Sequence, residues 1–279
     1  VGADALSSST TAEYNTAIGY QAGTANTTGQ NNAFLGERSG LANTTGGQNT
    51  FVGSYSGPAN TTGSTNVSVG YAALAANTTA SNNTAVGSSA LTANTTGARN
   101  TAVGGISLDA NTTGTENVAI GYAALSSNTT ASSNTSVGTE AMQGTTTGAD
   151  NTAVGAGALK TSTTGTSNTA FGKYALLFST TANNNSAIGT STLQSNTTGS
   201  ENQAFGTFAL TSNTTGASNT SVGYNSLGAN TTASNNTGVG FRCLQANTTG
   251  ASNTGLGVNA VYSVTTGSQN TGVGQGALS

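Results

Sequence analysis

Apolar residues return along this chain on a fixed beat of seventeen. Ile18, Leu35, Val52, Val69, Val86 and so on to Val273 occupy one register, each three residues after an Asn and one before a Gly. The phrase Asn83-Thr84-Ala85-Val86-Gly87 thus stands for sixteen copies, from Asn15 to Asn270, with no insertion or deletion. We number the slots of a repeat from that Asn, which puts Val86 in slot four, Gly87 in slot five and Gly97 in slot fifteen. Slot nine is a second apolar position, filled by Leu74, Leu91, Leu108, Leu125, Met142 and Leu159 but by Gly23, Gly40 and Gly57 in the first copies. Slot eight is always small (Ala90, Ala124, Thr192, Ser226, Cys243), and slots thirteen and fourteen are Thr-Thr throughout.

These spacings predict short extended segments between corners. Thr84-Ala85-Val86 is too short for a helix and its β-branched residues favour strand. The segment around Ala90-Leu91-Thr92 is read as a second strand, or as one helical turn. Asn-Thr-Thr-Gly is a turn phrase, because Asn bonds its own backbone two residues on and Gly suits the exit. The invariant slot-five Gly marks another corner, where positive φ or close backbone approach excludes a Cβ. Two strands and two corners in seventeen residues describe one coil of a parallel β-solenoid, each strand pairing with its own copy about 4.8 Å above and below. The fold class expected is therefore all-β, a β-solenoid of sixteen coils formed by residues 1–279 as a single repeat array. Asn83, Val86, Gly87 and Leu91 represent its structural ladder, with slot-one Asn side chains stacked along the array.

Slot three is small (Ala85, Ser136, Gly238) except at Phe34 and Phe51, which fall where slot nine lacks its Leu. Volume compensation explains this if slots three and nine share one layer. Slot four then faces the other way. Yet slot four is apolar in every copy, and Val86 and Val154 are also expected in a dry layer. A second apolar face calls for burial against other chains, and a homotrimer is expected. A weaker period of 51 residues links Ala80, Ala131, Ala182 and Ala233, as well as Tyr20, Tyr71, Tyr122 and Tyr224. Duplication of a three-repeat block explains it; a three-sided coil built from three repeats is the alternative.

Composition narrows the partners. The 279 residues carry 5% charged side chains and a net charge of -3, with no His, no Trp and one Cys. Five basic residues (Arg38, Arg99, Lys160, Lys173, Arg242) leave no electrostatic footprint for nucleic acid. No apolar run approaches a membrane span. The chain starts and stops in mid-repeat, which suggests an excerpt from a longer fibre.

The Asn-Thr-Ala-Val-Gly phrase followed by a small residue resembles the head repeats of trimeric autotransporter adhesins. Its Tyr-x-Ala-Leu continuation is similar to repeat arrays of phage tail-fibre and bacterial surface-fibre proteins. The resemblance spans all sixteen copies, although the period is longer than in the adhesin heads, so one corner must be larger. It implies a left-handed parallel β-roll with three chains around one axis, in an extracellular fibre on a cell surface or virion that reaches a host glycan or protein.

Chemistry is sparse. Without His there is no Ser-His-Asp or Cys-His pair, and Cys243 sits in the small slot eight as a packing residue. Three Asp and five Glu are scattered, mostly at corners such as Glu116, Asp150 and Glu201. They lack the spacing of calcium-binding coils. Enzyme activity, cofactors and metals are not expected. Recognition falls to rings: Tyr20, Tyr71, Tyr122, Tyr224 and Phe241 share slot six, with Tyr55, Tyr174 and Phe208 next to it. These either cover Gly backbone or offer a spaced row of amphipathic contacts to receptor or glycan. Thr ranks raise ice binding as a further possibility, and eleven slot-twelve Asn residues, among them Asn26, Asn94 and Asn247, open Asn-Thr-Thr glycosylation sequons. The function expected is a non-catalytic structural and adhesive shaft, the alternative being a monomeric solenoid module for ice or glycans.

Overall fold

A computed structural model describes residues 2–279. The protein is an all-β parallel solenoid, with no helix among the described residues. It divides into two compact units, the first ending at Thr139 and the second running Glu140–Ser279.

The first unit holds eight three-residue strands, from β1 (Thr16–Ile18) to β8 (Thr135–Val137). The second holds eight more, from β9 (Thr152–Val154) to β16 (Thr271–Val273). In both, each strand pairs in parallel with the one seventeen residues on. Thr84, Ala85 and Val86 lie opposite Thr101, Ala102 and Val103, and Thr169, Ala170 and Phe171 lie opposite Ser186, Ala187 and Ile188. One coil is therefore one seventeen-residue repeat, which rules out the three-repeat coil. Slots two to four form the strand because Thr and Val at alternate positions suit a pleated surface.

The expected second strand does not form. Slots seven and nine instead have left-handed backbone, as at Ser89 (φ 56°) and Leu91 (φ 52°). The chain there alternates turn bonds with bonds between coils. Ala90 N donates to Gly87 O at 3.3 Å, Leu91 N to Ser107 O at 3.0 Å and Ala93 N to Asp109 O at 3.0 Å. Two positive-φ residues in three turn the chain too sharply for a strand or a helical turn, yet leave N–H groups aimed along the stack.

Gly87 has φ 138°, and a Cβ on it would lie 2.5 Å from Gly104 O. Both reasons for a corner Gly thus apply at once: a backbone conformation that L side chains avoid, and a neighbouring coil in contact.

The interior is built from slots one, three, eight, nine and twelve. Ala85, Ala90 and Leu91 are completely buried, as are Asn83 and Asn94. Phe34 and Phe51 are fully buried too, their ring centroids 5.7 Å apart. A Cβ on Gly23 or on Gly40 would approach the Phe34 ring to 2.5 Å, and one on Gly57 would approach Phe51 to 2.7 Å. Slots three and nine do share a layer, and the rings fill the space left by the absent Leu side chains. The dry layer predicted for slot four is corrected: Val86 and Val154 are half-buried on the outer face. Strand alternation allows one inward residue in three, and slot three takes it.

Candidate functional site

Among the described residues no group of three Cys, Asp or Glu side chains could hold a metal ion, and no helix is long and apolar enough to cross a membrane. Cys243 is fully buried, and that burial pushes its thiol pKa up, away from the thiolate a nucleophile needs.

The interior Asn residues form two hydrogen-bonded columns. In slot one the side-chain oxygen accepts the next coil's backbone N–H: Asn83 N donates to Asn66 Oδ1 at 2.9 Å, and Asn83 Nδ2 donates to Gly97 O at 2.9 Å. In slot twelve the carboxamides bond one another. Asn94 Nδ2 donates to Asn77 Oδ1 at 3.0 Å and to Gly97 O at 2.9 Å. The Gly97 carbonyl thus receives one bond from each column. Complete satisfaction of this kind is what permits amides in a dry interior. It also disposes of the sequons: the Asn26, Asn94 and Asn247 side chains are wholly buried and engaged, so the folded coil offers no nitrogen to a glycosyltransferase.

The surface that remains has three ranks. The first is the strand face. Slot-two Thr and slot-four aliphatic side chains point outward together, and Ile18, Phe171, Ile188, Leu256 and Val273 are 51, 54, 41, 48 and 66% exposed. This rank was legible only as an apolar period, since nothing local said whether slot three or slot four faces out.

The second rank is aromatic. Tyr20, Tyr71 and Tyr122 are exposed in the first unit, three coils apart and so separated by roughly 14 Å along the stack. Tyr71 meets Tyr55 edge-on at 6.4 Å, and Arg38 Nη1 donates to the Tyr55 hydroxyl at 3.0 Å. In the second unit Tyr224 and Phe241 stack at 5.5 Å with their planes 14° apart. Phe208 packs edge-on against Tyr224 at 5.9 Å, and the Arg242 guanidinium lies 5.1 Å from the Phe241 centroid. The structure therefore groups Tyr224 with Phe241 and keeps Tyr20, Tyr71 and Tyr122 apart from one another, Tyr71 pairing only with its slot-seven neighbour Tyr55. In the grouped set Tyr224 and Phe241 each cover one face of the other while both stay exposed. Rings also cover Gly backbone: a Cβ on Gly157 would approach the Tyr174 ring to 2.8 Å. Slot seven, which supplies Arg38, Tyr55, Phe208 and Arg242, was underweighted in the sequence because its residue type varies from coil to coil.

The third rank is Thr. Slot-thirteen hydroxyls are used internally, as where Thr44 Oγ1 donates to Thr61 O at 3.0 Å and Thr95 Oγ1 to Thr112 O at 3.0 Å. Slot-fourteen Thr45 and Thr96 point to solvent. The two Thr columns are therefore unequal, and only one presents its hydroxyls.

A scan against protein-family models finds no match to this chain, and comparisons with curated proteins and with solved structures find none either.

Proposed function

We propose that this chain is a non-catalytic shaft segment of an extracellular fibre, in which copies pack side by side on their slot-four columns with three chains around one axis. One observation carries the reading. The coil's interior is already filled by slots one, three, eight, nine and twelve, yet slot four, facing out, is apolar in all sixteen copies. Burying such a column removes apolar surface from water at about 25 cal/mol per Å². A single chain has no second inside in which to do so.

A fibre also suits the bonding. Within each unit successive coils are hydrogen-bonded through backbone and through the slot-one Asn column, with a second Asn column wherever slot twelve is Asn, so stiffness accumulates with copy number. The exposed rings, Tyr20, Tyr71, Tyr122, Tyr224 and Phe241, would then be the points of weak, repeated contact with a cell-surface protein or glycan. Such a fibre belongs on a cell surface or virion.

The test is the mass of the purified chain in solution by light scattering on a sizing column. Three times the chain mass of 26.9 kDa supports the reading. A stable monomer overturns it and leaves a solitary binding module, whose Thr and Tyr ranks would then be assayed against ice and glycans.

A further inference from the structure

The slot-twelve Asn column is interrupted in the second unit. There the slot reads Thr145, Ser162 and Ser179 before Asn196, Asn213, Asn230 and Asn247 resume it. Where one Asn follows another in this slot, the amides bond in series. Asn213 Nδ2 donates to Asn196 Oδ1 at 2.8 Å and to Gly216 O at 2.9 Å, and Gly216 O also accepts from Asn202 Nδ2 at 2.9 Å. In the two serine coils the slot-fifteen carbonyl keeps only its slot-one donor. Asn151 Nδ2 reaches Gly165 O at 2.8 Å, and Asn168 Nδ2 reaches Ala182 O at 2.8 Å. Ser162 Oγ, Ser179 Oγ and Thr145 Oγ1 are fully buried and have no hydrogen-bond partner in the protein. Asn196 gives one amide hydrogen to Gly199 O at 2.9 Å and finds no amide oxygen in the preceding coil for the other.

We propose that the Ser162 and Ser179 coils enclose a two-water site that continues the amide column. Exchanging Asn for Ser frees about 30 Å³, one water's share of volume, while Thr fills nearly the space of Asn. Thr145 and Asn196 therefore close the compartment at its two ends. The water beside Ser179 accepts from Asn196 Nδ2 and from the Ser179 hydroxyl, and donates to Ala182 O and to its neighbour. The water beside Ser162 accepts from that neighbour and from the Ser162 hydroxyl, and donates to Gly165 O and to Thr145 Oγ1. Each water makes four bonds, within the two to four that hold a buried water. Donation also runs in the same direction as in the Asn column, from each coil to the one before it.

Two measurements on the full chain test this. A high-resolution crystal structure is expected to show one ordered water at each serine, both displaced by carboxamides in the Ser162→Asn/Ser179→Asn variant. Serine hydroxyls turned onto protein carbonyls, with no solvent between, would overturn the proposal. Thermal melting of Ser162→Ala/Ser179→Ala gives an independent sign. If the hydroxyls hold waters, the variant melts a few degrees lower, taking about 2–4 °C per kcal/mol for a chain of this size. If they are dry and unpaired, removing them raises the melting temperature, since a buried orphan polar group is itself a cost, and the site does not exist.

Discussion

The interior amides predict a large penalty at a position that any local reading would treat as a tolerant turn residue. Consider Asn94→Ala, in the middle of the first unit. The wild-type carboxamide donates to Asn77 Oδ1 at 3.0 Å and Gly97 O at 2.9 Å, and accepts from Asn111 Nδ2 at 2.9 Å. Truncation leaves these partners in different states. Gly97 O keeps the Asn83 donor, and Asn111 Nδ2 keeps Gly114 O at 3.1 Å. Asn77 Oδ1 loses its only donor. One orphaned buried acceptor costs about 1–3 kcal/mol, and two lost bonds with surviving alternatives cost about 0.5–1.5 kcal/mol each. The sum is about 2–6 kcal/mol, far above the few tenths expected for an exposed turn substitution such as Thr96→Ala. Thermal melting followed by circular dichroism reads the total. Hydrogen exchange should localise the lost protection to the coils around Asn77 and Asn111, because a repeat array unfolds in parts. The sharper check is the pair. Asn77→Ala/Asn94→Ala removes the orphan along with its cause, so the double variant should cost about 1–3 kcal/mol less than the sum of the singles. A single-variant loss below about 0.5 kcal/mol, or strict additivity of the pair, would refute the idea that the amide column carries stability.

Four other perturbations follow from the same geometry. Gly87→Ala combines a forbidden φ of 138° with a Cβ 2.5 Å from the Gly104 carbonyl oxygen; it should cost more than about 3 kcal/mol, seen as loss of soluble yield or a collapsed melting temperature. Thr65→Gly should do the opposite: Thr65 is exposed and β-branched at φ 59°, so relief of left-handed strain should stabilise by about 1 kcal/mol in denaturant melts. Val86→Asp should cost an isolated chain only about 1 kcal/mol, since Val86 is half-exposed and touches Val69 and Val103 at strand-pair range; in a trimer it would place three carboxylates at the covered face, and light scattering should show assembly lost while circular dichroism persists. Asp109 gives a pH signature: burial pushes its carboxyl pKa up from the ordinary value, partly countered by backbone N–H groups of Asp109 and Ala110. The folded state then binds that proton more tightly than the unfolded state, so stability falls as pH rises from the ordinary carboxylate value through the raised one. Asp109→Asn should accordingly melt above the parent at pH 7 and match it at pH 3.

The period, the corners and the strand were readable because each rests on a local rule repeated sixteen times. Gly87 announced a positive φ, Thr84-Ala85-Val86 announced a strand, and the Phe34 and Phe51 exchange against Gly23, Gly40 and Gly57 announced a shared layer. The orientation of that strand was harder. Slot four carries the larger apolar residues and so looked like core, but a seventeen-residue coil is narrow, and the inward side of its strand has room mainly for Ala and Ser beside Leu91. The Leu segment misled for a different reason. Leu avoids left-handed backbone in isolation, so nothing at Leu74 or Leu91 signalled φ values near 50°; bonds to the next coil impose them. The slot-twelve Asn residues were ambiguous because the same phrase serves a turn, a sequon and an amide column, and only burial separates these. Ring contacts such as Tyr224 on Phe241 were hidden by the variability of slots six and seven.

Two neighbouring positions drift unevenly, and the difference concerns the chemistry of the strand face. Slots two and four lie on the same strand and both point outward, so solvent alone should treat them alike. They differ. Slot two is mostly Thr but accepts Ala33, Val67, Ser186 and Gln203, mixing polar with apolar. Slot four has varied as widely in size, through Val, Ile, Leu and Phe, and in sixteen copies has not once become polar. Duplication cannot account for this, because the copies have diverged in side-chain volume while keeping one chemistry. Packing within the chain cannot account for it either, since Phe171, Ile188 and Leu256 remain exposed on strands paired on both sides. A constraint on polarity without a constraint on shape is what an adaptable apolar contact imposes, and three copies meeting on this column would impose it at every coil.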